Sequence, residues 1–294
     1  MELFELMKKD AALVSEELAR ILRTDLCALQ GLFDSERYSI EAGGKRIRPF
    51  ITLMFCRMFG GEAQWAVPYA AALEMIHTAS LIHDDLPIID NDDLRRGRPT
   101  NHKVFGEATA LLAADGLLMD SFGIVAANPH KDAATNLAAV SYLSRMTGSR
   151  GLVGGEYIDV MGEKKELSLE DLELMDDLKT GALIRASAVL GALAAGVRLD
   201  DERMQDCITY SDSIGRAFQI VDDLLDLRGD VQALGKNPGQ DVRAGKTTYL
   251  SFYTEEQAEK EAHRLTELAI SAVSKYEGSE VAVALARFLV RRES

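Results

Sequence analysis

Three segments of this chain carry side chains whose types and spacing suit ionic chemistry. The first runs His83-Asp84-Asp85-Leu86-Pro87-Ile88-Ile89-Asp90-Asn91-Asp92-Asp93-Leu94-Arg95-Arg96-Gly97, five carboxylates in ten residues beside two arginines. Ala79, Leu81 and Ile82 lead straight into it, so the carboxylates cap an apolar helix, where burial is costly without a neutralising cation. Clustered hard oxygens suit Mg²⁺, which takes one or two carboxylates plus phosphate oxygens and water. Taken alone, the segment also reads as a solvated helix end. The second is Phe218-Gln219-Ile220-Val221-Asp222-Asp223-Leu224-Leu225-Asp226. Asp222 and Asp226, four apart, share a helix face and repel, a cost that a bound cation removes. Bare pairs also occur at Asp176-Asp177 and Asp200-Asp201, so this pattern by itself is a weak signal. The third is Gly43-Gly44-Lys45-Arg46-Ile47-Arg48-Pro49. Its glycines, Gly44 among them, let backbone approach a ligand closely, and Lys45 and Arg48 could clamp a diphosphate. Cations at a helix N-terminus oppose the macrodipole, which points to an anion nearby; a basic surface turn is the plainer alternative.

Smaller signals accompany these. Lys179-Thr180-Gly181 interrupts an apolar helical stretch, where a snorkelling lysine is equally admissible. Lys236 and Lys246 belong to a Gly-rich, charged stretch after Asp226. His77 precedes Asp84 by seven residues and so shares its helix face. Together these residues describe one site for metals and diphosphates. No Ser-His-Asp set, phosphate-binding Walker loop or GxGxxG after a strand competes with it.

The elements that must position them are helical throughout. Apolar periodicity predicts a first helix through Leu3, Leu6, Leu13, Leu18 and Ile21, a second with Phe50, Leu53, Met54 and Met58 on one face, and a long apolar one over about 62–85. Further helices are expected over about 103–127, 131–147, 149–162, 169–195 and 200–228, and again from about Glu255. Residues 90–101 read as a loop, and no strand-like alternation of useful length is found. The helices at 62–85 and 200–228 are apolar nearly all round and are expected to be central. The 294 residues, 47% hydrophobic, form in this reading a single all-α domain spanning 1–294. A formal charge of 33 − 47 = −14 excludes a nucleic-acid partner as the main ligand. The widely spaced Cys27, Cys56 and Cys207 read as free thiols of a reducing cytosol. The N-terminus lacks a signal-peptide pattern, and no apolar run of spanning length is found. A cytoplasmic protein that does not span a membrane is expected.

From about Ser39 to Asp241 the chain resembles the short-chain trans-isoprenyl diphosphate synthases, similar to bacterial farnesyl and geranylgeranyl diphosphate synthases. The resemblance implies the isoprenoid synthase fold, an all-α helical bundle around a deep central cavity, in a homodimer. It implies that Asp84, Asp85 and Asp90 form a first aspartate motif and Asp222, Asp223 and Asp226 a second, holding about three Mg²⁺ on an allylic diphosphate. By the same resemblance Arg95, Lys179 and Lys236 grip that diphosphate, with Lys246 as a further contact. Lys45, Arg48, His77 and Arg96 bind isopentenyl diphosphate, and Thr180 and Gln219 line the path of a carbocation. In this family a bulky aromatic five residues before the first Asp stops growth at C15. Here that position is Ala79, followed by Ser80. It lies about 7.5 Å along the helix from Asp84, which leaves room for a further unit and favours a C20 product, geranylgeranyl diphosphate, over farnesyl diphosphate. Met75, Ile76, Met119 or Phe122 could restore a floor. Terpene cyclases and head-to-head synthases share paired acidic motifs but lack the GGKRxR segment. A non-catalytic regulatory subunit of a partner synthase is the alternative of another class.

Overall fold

The structure, a computed structural model, describes residues 3–162, 166–228 and 246–290. Its helices group into two compact units, Met1–Leu143 with Leu193–Gly196, and Ser144–Ala192 with Val197–Ser294.

The first unit holds α1 (Leu3–Ile21), α2 (Gln30–Ile40), α3 (Ile47–Met58), α4 (Ala63–Asp84), α5 (Asn101–Phe105), α6 (Glu107–Ala126) and most of α7 (Ala133–Thr147). Helices α1, α2, α3 and α6 all pack on α4. Its composition explains this centrality: Ala66 and Ala70–Ala72 are fully buried small residues that let neighbours approach, and Leu73, Met75 and Ile76 fill between them. Residues Pro49 to Cys56 of α3 are buried without a break, so this helix hides more than the single face its periodicity suggests. A buried amide network pairs several of the polar groups inside, as burial favours. Asn136 accepts from the Tyr69 hydroxyl at 2.6 Å and donates to the Asn128 carbonyl at 3.0 Å, while Asn128 donates to the Trp65 carbonyl at 3.0 Å.

The second unit holds α8 (Leu152–Gly162), α9 (Leu169–Asp176), a π-helical turn (Asp177–Gly181), most of α10 (Ala182–Ala194), α11 (Glu202–Arg228), α12 (Glu255–Val273) and α13 (Glu280–Val290). Helices α11 and α12 pack along each other. Ile220, Val221, Leu224 and Leu225 of α11 meet Ala258, Ala262 and Leu265 of α12, with Leu172 and Tyr249 completing the cluster. A capping box starts α12: Thr254 accepts from the Gln257 N–H at 3.3 Å, and the Gln257 side chain accepts from the Thr254 N–H at 2.9 Å.

The all-α reading holds, with differences of detail. Helix α2 was not singled out by periodicity. Residues 94–99 form a minimal antiparallel hairpin, β1 (Leu94–Arg95) with β2 (Arg98–Pro99), too short to leave any alternating pattern. The stretch 169–195 is broken by the π-helical turn. Helix α6 is long and apolar enough by composition to cross a bilayer, although it carries Asp115 and Asp120, and only 33% of its most apolar stretch is buried.

Candidate functional site

In the first unit the acidic motif closes α4. Asp84 and Asp85 are buried at its last turn. The chain then folds back so that the Asp90 N–H donates to the Asp84 carbonyl at 2.9 Å, with Asn91 at φ +54° completing the turn. The four-residue spacing thus returns Asp90 to the helix end. Arg96 and Gly97 join β1 to β2 with φ of +54° and +75°, the double positive-φ pattern of a type I′ hairpin turn, whose twist matches the strands. The hairpin aims two arginines in different directions. The Arg95 Nε donates to Asp85 Oδ1 at 2.6 Å, and Arg96 donates to the Gly43 carbonyl. Gly44, at φ +124°, admits this contact: a Cβ there would lie 2.7 Å from the Arg96 guanidinium carbon.

The segment after Gly44 folds inward. Arg46 takes a left-handed conformation, φ +48°, just before α3, and its side chain is buried in an ion pair with Glu74 and a hydrogen bond to the Ile40 carbonyl. Arg48 Nη1 lies 3.3 Å from His77 Nε2, and the Arg48 Nε is buried without a hydrogen-bond partner. Burial lowers the pKa of both Arg48 and Arg96, each opposed by Glu74. His77 is held well below its usual value, first by burial and then by Arg48, Arg96, Arg46 and Arg95, so its imidazole is neutral at neutral pH. Burial pushes Asp85 up to about 6 against the pull of Arg95. Glu74 takes Arg46 and Asp85 takes Arg95. Arg48 and Arg96 form no ion pair among the described residues. In a chain of charge −14, this corner concentrates positive charge that an anion would neutralise.

The second unit builds a complementary cleft of about 860 Å³, open to solvent. Lys179, Thr180, Gln219, Asp222, Asp223 and Lys246 line it, together with Asp159 and Asp176. Lys179 and Thr180 stand on the π-helical turn, a rare element that recurs at functional sites. Helix α8 packs backbone to backbone against that turn at Gly155, where a Cβ would lie 2.2 Å from the Lys179 nitrogen. The close packing brings Asp159 to 2.5 Å and Glu156 to 2.8 Å from Lys179 Nζ. Lys246 stands 3.9 Å from Asp159. Asp223 accepts from the Tyr249 N–H at 2.8 Å. Asp226 is buried on the same helix but is not among the residues lining the cleft. Lys236 lies outside the described residues.

The structure thus brings Arg48, His77 and Arg96 near one another in the first unit, and Lys179, Thr180, Gln219, Asp222, Asp223 and Lys246 around one cleft in the second. Sequence reasoning missed Glu156 and Asp159, whose signal was a Gly154-Gly155 pair inside a helical pattern just before two carboxylates three apart. It also missed Asp176, which it had set aside as an ordinary pair, and the Arg46–Glu74 pair. Among the described residues no three carboxylate, histidine or cysteine side chains converge closely enough to hold a metal by themselves.

The polyprenyl synthetase family model matches residues 30–285. The chain belongs to that family. It is 43% identical over 266 residues to the geranylgeranyl diphosphate synthase of Cyanophora paradoxa, covering 90% of this chain and 88% of the relative. It is 44% identical over 237 residues to the farnesyl diphosphate synthase of Bacillus subtilis, covering 78% and 79%. Among solved structures, an apo FPP/GFPP synthase from Zymomonas mobilis superposes with a TM-score of 0.89 at 33% identity over 98% of this chain and 99% of the other. Family and relatives make this member of the polyprenyl synthetases a prenyltransferase, and its solved neighbours share its all-α fold.

Proposed function

We propose that this chain condenses isopentenyl diphosphate head to tail with allylic diphosphates to give short all-trans prenyl diphosphates, with the C20 product favoured over the C15. The observation that carries the reading is the corner where Arg48 and Arg96, which form no ion pair among the described residues, stand beside neutral His77. Such a corner needs an anion, and isopentenyl diphosphate supplies one. The GGKRxR segment is what separates this reading from a cyclase. In this proposal Lys45, Arg48, His77 and Arg96 hold isopentenyl diphosphate, while Arg95, Lys179, Lys236 and Lys246 grip the allylic diphosphate. Asp84, Asp85, Asp90, Asp222, Asp223 and Asp226 hold about three Mg²⁺; the bound metal stabilises charge on a departing diphosphate. Thr180 and Gln219 flank the carbocation, and apolar walls keep water from quenching it.

Two further parts of the reading have their own support. Ala79 is buried on α4 and offers no ring to stop a growing tail, which favours C20, as do the names of several relatives. Met119 is 66% exposed, so it lies on the outside of the first unit and not beneath Ala79 there. Its neighbours Leu111 and Leu112 are exposed as well. This apolar stripe on α6 supports a homodimer formed through that helix, in the cytoplasm.

The test is chromatography of products from purified chain, Mg²⁺, isopentenyl diphosphate and each starter of C5, C10 and C15. Turnover by the chain alone, lost on chelation, is expected, with C20 the main product. No turnover with any starter would overturn the enzymatic reading in favour of a regulatory subunit. A clean C15 product would overturn only the chain length.

A further inference from the structure

We propose that Glu74 is a positioning residue for isopentenyl diphosphate: its buried ion pair with Arg46 fixes the glycine loop and the start of α3 on the face of α4 that carries His77, and so sets where Lys45 and Arg48 stand. The inference rests on the prenyl-transfer reading and gives a role to two residues which that reading leaves without one.

Glu74 stands midway along α4 between Ala70–Ala72, Leu73, Met75 and Ile76, and is 2% exposed. A carboxylate in such a place is costly unless it is paired and hydrogen-bonded. Its partner is Arg46, 8% exposed, whose Nη1 donates to Glu74 Oε1. Apolar side chains of the same size often serve stability as well as a buried ion pair does, so stability alone is a weak account of this one. Arg46 ties three elements together. Its Nη2 donates to the carbonyl of Ile40, the last residue of α2. That bond closes residues 41–45 into a ring tied at both ends. The Arg46 carbonyl accepts the first helical bond of α3, from the Phe50 N–H at 3.0 Å. Its Nη1 fastens the ring and the helix start to α4. Arg46 itself is left-handed, φ +48°, a conformation that a non-glycine residue keeps only where its surroundings hold it. The doubly anchored guanidinium supplies that hold. The ring carries Lys45 and the Gly43 carbonyl that receives Arg96, and Arg48 follows in the first turn of α3. His77 comes three residues after Glu74 and so shares its face of α4. Arg48 Nη1 reaches the His77 Nε2 at 3.3 Å. Glu74 is therefore the fixed point on α4 that sets both the loop and Arg48 against His77.

Removing one partner strands the charge of the other, so the test removes the pair whole. In the double variant Arg46→Met with Glu74→Leu, a cation and a carboxylate leave together and the formal charge of the corner is unchanged. Apolar side chains of similar size keep such a site about as stable as before, so the variant is expected to melt near the parent. Isopentenyl diphosphate, titrated calorimetrically, is expected to bind it about tenfold more weakly or worse, the equivalent of one lost hydrogen bond to a charged group. In steady-state assays with Mg²⁺ the isopentenyl KM is expected to rise in step, while kcat and the allylic KM stay within about threefold of the parent. A folded double variant that binds isopentenyl diphosphate as the parent does overturns the inference, and so does an equal rise in both KM values. Should the double variant not fold, Arg46→Lys is read in its place. It leaves Glu74 a cation but lacks the planar fork that reaches Glu74 and the Ile40 carbonyl together, and it is expected to raise the isopentenyl KM about fivefold. An unchanged KM there overturns the inference. Failure of that variant to fold overturns it as well, because the pair then serves folding itself. The unsubstituted chain, assayed alongside with each starter, keeps two failures apart. An inactive parent refutes the prenyl-transfer reading, whereas an active parent with unchanged variants refutes this inference alone.

Discussion

Gly44→Ala tests the anion corner most directly. At φ +124° a Cβ strains the backbone by about 1–3 kcal/mol. The added methyl would also lie 2.7 Å from Arg96 Cζ and 2.8 and 2.9 Å from its two terminal nitrogens. Non-bonded carbons rest about 3.5–4.0 Å apart, so the guanidinium must retreat by roughly 1 Å and lose its hold on the Gly43 carbonyl. If Arg96 grips isopentenyl diphosphate, that retreat removes a hydrogen bond to a charged group, worth about 1.5–3 kcal/mol. At about 1.4 kcal/mol per tenfold, the KM for isopentenyl diphosphate should rise about 10- to 150-fold. The KM for the allylic substrate should move less than about threefold, because Arg95 points away to Asp85. Steady-state kinetics with each substrate varied in turn reads both, and thermal melting reports the strain separately. A folded variant whose isopentenyl KM is unchanged would refute the placement of Arg96 on that substrate. An equal rise in both constants would refute the division of labour between the two arginines.

Other outcomes follow from the same contacts. Gly155→Ala drives a Cβ to 2.2 Å from the Lys179 backbone nitrogen, which cannot step aside as a side-chain tip can; destabilisation of about 3 kcal/mol or more is expected in thermal or urea melts. Burial first, and Asp120 next, push Glu36 up to about 7, eased by Arg37. Its folded value therefore lies above its unfolded one, the folded state binds more protons between them, and stability is lost as pH rises from about 4.5 towards 7. Glu36→Gln should remove that slope and gain about 1–2 kcal/mol at pH 8 but not at pH 4, after discounting for screening of exposed Asp120; equal melting shifts at both pH values would refute the assignment. Ala79→Tyr places a ring in a position 1% exposed and should shorten the main product from C20 to C15, read by chromatography, while costing about 1–3 kcal/mol of stability.

The helices were legible because their signals are local, and the two aspartate clusters stand out as local sequence patterns. Leu13, Leu18 and Ile21 recur at helical spacing, α4 starts and stops close to where periodicity and Pro87 place it, and α12 starts at Glu255 as expected. What escaped reading depends on long-range contacts. Glu156 and Asp159 gain meaning only because Gly155 lets α8 touch the turn carrying Lys179. That turn's extra residue is a backbone event with no composition of its own. Asp176 and Asp200 look alike in the chain, yet one is buried beside Tyr249 and the other is an exposed partner of Arg198. Arg46, which the clamp reading of the GGKRxR segment leaves out, is turned inward by its left-handed backbone to Glu74, where it serves the scaffold.

The Arg96-Gly97 hairpin has a mechanical consequence. Arg95 is anchored on the acidic end of α4 and Arg96 on the glycine loop before α3, and the two are adjacent in sequence, so one peptide unit joins the helix end to the loop. A pull on either arginine is delivered to the other across a single rigid plane, about 3.8 Å from Cα to Cα. If the two arginines hold the two diphosphates as proposed, this plane fixes how far apart their backbones stand.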